Sequence, residues 1–226
     1  MKYVARSLLF IFLSFTIIFM TVQKKTKIIF FGDSITQMGA DPGGYIVRMR
    51  DDLKAKGVES QYDLVGAGVG GNKVYDLYLR MDDNVLDKNP DVVVIWVGVN
   101  DVWHKTSGTG TDADKFEKFY IAIIKKLMAK NIKVVVVTPA VIGEKTDYTN
   151  QQDGDLNLYS NIIRRIAKDY KVGIVDLRKD FREYELKNNP ENKELGILTK
   201  DRVHLTDDGN KFVAEKMLEV LIAGYK

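Results

Sequence analysis

The chain has 226 residues, 45% hydrophobic and 29% charged, the balance of a globular protein long enough to bury a sizeable core. Its formal charge is only +3, with Lys and Arg scattered among nearly as many acids, so no basic stripe marks a nucleic-acid surface. Cysteine is absent, which removes disulfides, thiol nucleophiles, cysteine-zinc sites and lipid attachment at an export-signal cysteine.

The first segment differs in kind from the rest. Lys2 and Arg6 precede an apolar run over residues 8–20, too short for a comfortable membrane span and preceded by basic residues as an export signal is. Met20-Thr21-Val22-Gln23 offers no small-x-small cleavage site, and Lys24, Lys25 and Lys27 follow it. Residues 1–23 are therefore expected to be a signal peptide or an uncleaved signal anchor, with a buried N-terminal helix as the structural alternative. One domain is expected over 24–226. The expected location is periplasmic or secreted in a bacterium, or membrane-anchored through the N-terminal segment if it is not cleaved.

Beyond Lys27 two kinds of segment alternate. Val- and Ile-rich runs predict strands over 27–31, 62–65, 91–97, 133–138 and 173–176. Apolar residues at three- and four-residue spacing predict helices over 45–56, 74–86, 113–129, 156–169 and 208–223. The runs at 92–97 and 134–137 are apolar on both faces, as parallel strands covered by helices should be. The alternation predicts an α/β doubly wound sheet of five parallel strands. Ligands of such sheets bind beyond the carboxyl ends of the strands, so the informative loops are 32–44, 66–73, 98–112 and 139–155, with the segment 195–207 entering the last helix. They look short, with no obvious lid or large acyl tunnel.

The first of these loops opens Gly32-Asp33-Ser34-Ile35. Asp and Ser are favoured where a strand ends and a helix begins, because their side chains satisfy free backbone N–H groups; a nucleophile at Ser34 would occupy the same position. The second loop, 66–71, matches G-x-G-x-x-G, a dinucleotide fingerprint in form. It follows the second strand rather than the first, however, and the acid that should close the next strand comes too late. Its glycines read better as a tight turn, or as a place where the Gly70 N–H faces a site too close for a side chain. In the third loop Asn100 is a turn residue or an amide donor to a developing oxyanion. In the last, Asp201-Arg202-Val203-His204 spaces a carboxylate to reach the imidazole Nδ1–H, which leaves Nε2 free to take a proton. A lone Asp-x-x-His is usually structural. Here it shares the crevice with a serine and with oxyanion donors, each role filled once.

At this point the sequence resembles the SGNH (GDSL-type) hydrolases. Their four blocks occur in order: Gly32-Asp33-Ser34-Ile35, the loop glycine Gly70, Gly98-x-Asn100-Asp101, and Asp201-x-x-His204. Ile35 replaces the usual leucine, a core-facing change outside the chemistry. The resemblance spans nearly the whole chain after the first segment. It implies a flavodoxin-like three-layer α/β/α sandwich, with Ser34 as nucleophile, His204 as base and then acid, Asp201 as its orienter, and Ser34, Gly70 and Asn100 forming the oxyanion hole. It also implies a serine esterase working through an acyl-enzyme on a small ester or acylated carbohydrate, with an acetyl group favoured by the short loops. The alternatives are a lysophospholipase or thioesterase of the same family, or an inactive carbohydrate-binding relative. Trp103, His104 and Tyr148 are candidate substrate contacts, though Asp101 at three residues from His104 mimics the acid–base spacing and is expected to tie down its own loop. Asp153-Gly154-Asp155 lacks metal-ligand spacing; neither metal nor cofactor is expected, and nothing in the sequence indicates an oligomeric state.

Overall fold

The computed structural model describes residues 24–223, so the expectation for residues 1–23 lies outside the described residues. Five parallel strands form one sheet in the order β2-β1-β3-β4-β5. They are β1 (Thr26–Gly32), β2 (Tyr62–Gly68), β3 (Val92–Trp96), β4 (Lys133–Val137) and β5 (Gly173–Val175). The central strand β3 is Val-Val-Val-Ile-Trp and is buried along its whole length, because helices cover both faces and neither can be polar.

The helices are α1 (Ser34–Gly39), α2 (Tyr45–Ala55), α3 (Val74–Asn84), α4 (Val99–Trp103), α5 (Ala113–Met128), α6 (Asp153–Tyr170), α7 (Leu177–Asn188) and α8 (Asp207–Ala223). Handedness distributes the crossovers. The step from β1 to β2 runs toward one edge of the sheet, while the steps β2–β3, β3–β4 and β4–β5 run toward the other. Right-handed crossovers then place α2 on one face and α3, α5 and α6 on the opposite face. The packing agrees: α2 lies against α8, α3 against α5, and α5 against α6. This is the flavodoxin-like three-layer order, with its switch point between β1 and β3.

Phe30, Phe31, Tyr45, Trp96, Phe116, Tyr120 and Tyr159 fill the layers on either side of the sheet and are buried. Tyr45 packs edge-on against both Phe30 and Trp96. No helix among the described residues is long and apolar enough to cross a membrane.

Candidate active site

Chain geometry concentrates the first residues of the site at the end of β1. A Cβ on Gly32 would lie 2.3 Å from Thr36 Oγ1 and 2.4 Å from the Trp96 carbonyl, so only glycine lets β1 end this close to β3. Asp33 caps α1 by accepting the Ile35 N–H at 3.0 Å. Burial, reinforced by nearby Asp101, pushes its carboxyl up to about 7 although the Ile35 bond works the other way. Ser34 is the first residue of α1, so its own N–H has no partner within the helix.

The acid–base pair arrives from the other end of the sequence. Ser34 Oγ lies 2.9 Å from His204 Nε2, and His204 Nδ1 lies 2.7 Å from Asp201 Oδ2. A carboxylate on Nδ1 holds the proton there and leaves Nε2 to accept from the serine hydroxyl. Asp201 Oδ1 also accepts the backbone N–H of His204 at 2.7 Å and that of Val203 at 3.2 Å. Partial burial raises the Asp201 carboxyl, but the His204 and Val203 bonds prevail and hold it below its ordinary value. The turn that makes these bonds puts Arg202 at φ +80°.

The opposite wall carries the amide donors. Asn100 is buried, and its Nδ2 donates to the Asn72 carbonyl at 3.1 Å; a carboxamide has two N–H groups, so one remains for an incoming oxygen. Gly70 is contiguous with the serine, since a Cβ built on it would lie 3.9 Å from Ser34 Cβ. Two points differ from the sequence expectation. The Gly70 N–H donates to Gln37 Oε1 at 2.7 Å and must be shared or released before it serves an oxyanion. A side chain there would press on the flexible end of Gln37 alone, at 3.3 Å, and meet Ser34 Cβ at ordinary contact distance, so close approach is not what requires a glycine at 70. The position that does require one is Gly68, where a Cβ would lie 2.1 Å from the Gln37 backbone nitrogen.

Trp103 stands beside the triad with its ring 6.5 Å from that of His204, edge to face, and 5.9 Å from that of His104. Asp101 does not pair with His104. Its fully buried carboxylate accepts the Val74 N–H at the start of α3, and its carbonyl takes the Thr111 N–H. It therefore joins its loop to a neighbouring helix as well as to itself. Burial, with Lys73 nearby, lowers the His104 pKa. Tyr148 is the outlier of the candidate set: it is 82% exposed, adopts φ +67°, and stacks on the Arg182 guanidinium at 4.6 Å. Its loop meets the triad's loop through the Gly143 N–H, which donates to the Arg202 carbonyl at 2.9 Å.

Arg80 was not legible as a site residue, because a lone arginine in a helical pattern reads as a solvated face. The structure turns it inward from α3. It donates to the carbonyls of Gly32 at 2.7 Å and Ala67 at 3.0 Å, and to Asn72 Oδ1 at 2.6 Å, while lying 4.5 Å over the Phe31 ring. Burial lowers its pKa to about 10, against the pull of Asp76 and Asp33. Arg80 thus holds together the strand end before Ser34 and the loop whose carbonyl receives Asn100. No group of three or more His, Cys, Asp or Glu suited to a metal ion occurs among the described residues.

A serine hydroxyl, an imidazole and a carboxylate joined by hydrogen bonds at the strand-end crevice of a parallel sheet define a hydrolase of the Ser-His-Asp class. The model of the GDSL-like lipase/acylhydrolase family matches residues 30–212, and the chain belongs to that family. It is a carboxylic-ester hydrolase. A crystal structure of an acetyl xylan esterase, AlAXEase, is 68% identical with a TM-score of 0.84, over 85% of this chain and 98% of that one. An acetylxylan esterase of Geobacillus stearothermophilus is 26% identical over 88% of this chain and 95% of its own length. Two catalytic mutants of that enzyme, one with alanine for a serine and one with alanine for an aspartate, are solved at 25% identity and TM-score 0.75, each over 87% of this chain and 95% of theirs.

Proposed function

We propose that this protein removes acetyl groups from an acetylated plant polysaccharide of the xylan type, with Ser34 as nucleophile, His204 as base and acid, and Asp201 as orienter of the imidazole. The observation that carries the reading is the unbroken relay Ser34–His204–Asp201, at 2.9 and 2.7 Å. The substrate class is supported by the names of the similar enzymes.

Ser34 Oγ attacks the ester carbonyl carbon as His204 Nε2 takes its proton. The tetrahedral oxygen collects negative charge and is met by the Ser34 N–H, the free amide N–H of Asn100 and the Gly70 N–H once Gln37 yields it. Collapse of the intermediate breaks the bond to the sugar oxygen, which takes the proton from His204 and leaves as a hydroxyl. Water then attacks the acetyl-serine with His204 again as base, releasing acetate and restoring the hydroxyl. Trp103 and His104 form the wall nearest the imidazole and contact the sugar, with burial and nearby Lys73 favouring the neutral form of His104. Tyr148 extends that surface for a longer chain of sugars.

We assign export to residues 1–23 and the catalytic domain to 24–226 on the basic and apolar pattern of the first segment alone. Turnover of p-nitrophenyl acetate, lost in Ser34→Ala, tests the enzyme assignment. Release of acetate from acetylated xylan, compared with p-nitrophenyl esters of two to twelve carbons, tests the substrate. A tenfold preference for the long chains would replace the acetyl reading with the lysophospholipase or thioesterase one.

A further inference from the structure

The hairpin that carries Asp201 and His204 is short. Thr199 pairs with Leu205 in an antiparallel bridge, the Lys200 N–H donates to the His204 carbonyl at 2.8 Å, and the Thr206 N–H donates to the Leu198 carbonyl at 2.8 Å. Such a loop, with Arg202 held at positive φ at its tip, cannot fix by itself where the imidazole stands relative to Ser34 on another element. Something must clamp it to the sheet.

That clamp is on the loop after β4. Glu144 is fully buried, and its carboxylate accepts three consecutive backbone N–H groups at the base of the hairpin. Oε2 takes Ile197 at 2.8 Å, while Oε1 takes Leu198 at 2.7 Å and Thr199 at 2.6 Å. Two backbone bonds flank it. Gly143 N–H donates to the Arg202 carbonyl at 2.9 Å, between the acid and the base, and Glu144 N–H donates to the Glu194 carbonyl at 2.9 Å. The Glu144 carbonyl in turn receives the Asn189 amide at 2.8 Å, fixing the clamp to the end of α7. Three converging N–H donors require an acceptor with several lone pairs, and a carboxylate supplies them while its charge strengthens each bond.

We propose that Glu144 is a positioning residue of the reaction: its carboxylate sets the register of the Asp201–His204 hairpin against Ser34. This rests on the reading of those three residues as the triad. Glutamine at 144 would turn an amide N–H₂ toward at least one of the backbone donors, leaving a buried N–H facing another donor. The hairpin would then shift by a fraction of an ångström, enough to lengthen the Ser34–His204 bond without touching the substrate surface. Glu185, whose carboxyl Glu144 helps to raise, lies near the clamp, and Arg178, Arg182 and Asp153 act on Glu185 in turn.

The test begins with wild type and Ser34→Ala on p-nitrophenyl acetate. No turnover by wild type would remove the triad reading before Glu144 is considered. With wild type active, Glu144→Gln is assayed at a temperature where circular dichroism shows it folded. The expected result is a kcat at least tenfold lower with a KM within twofold, because the imidazole moves off Ser34 while the substrate surface stays in place. Glu144→Asp, one methylene short of reaching all three donors, is expected to fall between the two, and it carries the test if the glutamine variant does not fold. A folded variant with wild-type kcat, whatever its melting temperature, would overturn the proposal.

Discussion

Asn100→Ala deletes an amide that is buried and bonded through one N–H to the Asn72 carbonyl, with a second N–H left to donate. An oxyanion donor acts where charge develops in a partly dry site, and losing one costs roughly 2.7–4 kcal/mol of barrier. The expected result is a kcat lower by about a hundredfold or more, with a folded protein by circular dichroism; unchanged kcat would remove Asn100 from the oxyanion hole. The two histidines separate in the same assay. His204 bridges Ser34 and Asp201, whereas His104 has Trp103 beside it and, among the described residues, no carboxylate on its ring. His204→Ala is expected to abolish hydrolysis of p-nitrophenyl acetate and His104→Ala to retain most of it, the loss in the latter appearing as a raised KM on acetylated xylan. The reverse order would reassign the base.

At the scale of elements, the strands and the longer amphipathic helices were legible because their apolar periodicity is set by burial on one face or two. The pattern fails where burial is polar. Helix α7 escapes a search for apolar stripes because its inner face includes Arg178 and Glu185 beside Leu177 and Phe181. The short α1 and α4 are too brief to show a period, and α6 begins at Asp153, three residues ahead of the predicted 156. In the candidate site, Ser34, Asp201 and His204 were legible because each role demands a residue type at a fixed spacing, and the structure brings them within hydrogen-bond reach. Gln37, Arg80 and Glu144 were not, since each acts through partners distant in sequence that only the fold supplies. Arg80 shows what such a residue does for the elements. Its guanidinium spans the ends of β1 and β2 and the following loop, and bonds from a charged donor to partly buried carbonyls are each worth about 1.5–3 kcal/mol. Arg80→Met keeps the stem over Phe31 and removes the donors, so it is expected to lower stability by about 3 kcal/mol and kcat with it. Urea unfolding and the ester assay check both; an unchanged midpoint would show that the guanidinium bonds only replace water.

The whole molecule's response to pH follows from how it buries its acids. Burial pushes Asp33 up to about 7, Asp101 to about 6 and Glu185 to about 9. Glu185 has Glu144 as a further raising influence and one carboxyl oxygen with no hydrogen-bond partner among the described residues. A carboxyl whose folded pKa lies above its unfolded value binds more protons folded than unfolded. Its stabilising contribution is complete below the unfolded value and declines as pH climbs to the folded one. All three therefore begin to remove stability above about pH 4, Asp101 ending near 6, Asp33 near 7 and Glu185 near 9, so Glu185 is responsible for the upper part. Asp176 and Asp201, held below their ordinary values, act only at the acid end, where protonating them destabilises. His104, lowered by burial and Lys73, opposes the trend only near neutrality. The melting temperature is expected to be higher near pH 5 than near pH 9. Glu185→Gln keeps the size of the side chain and removes its titration, so its melting temperature should gain on wild type as pH increases from about 5 to 9. Parallel thermal scans of the two proteins across that range decide it: curves that run parallel would mean Glu185 is ionised in the folded protein at neutral pH.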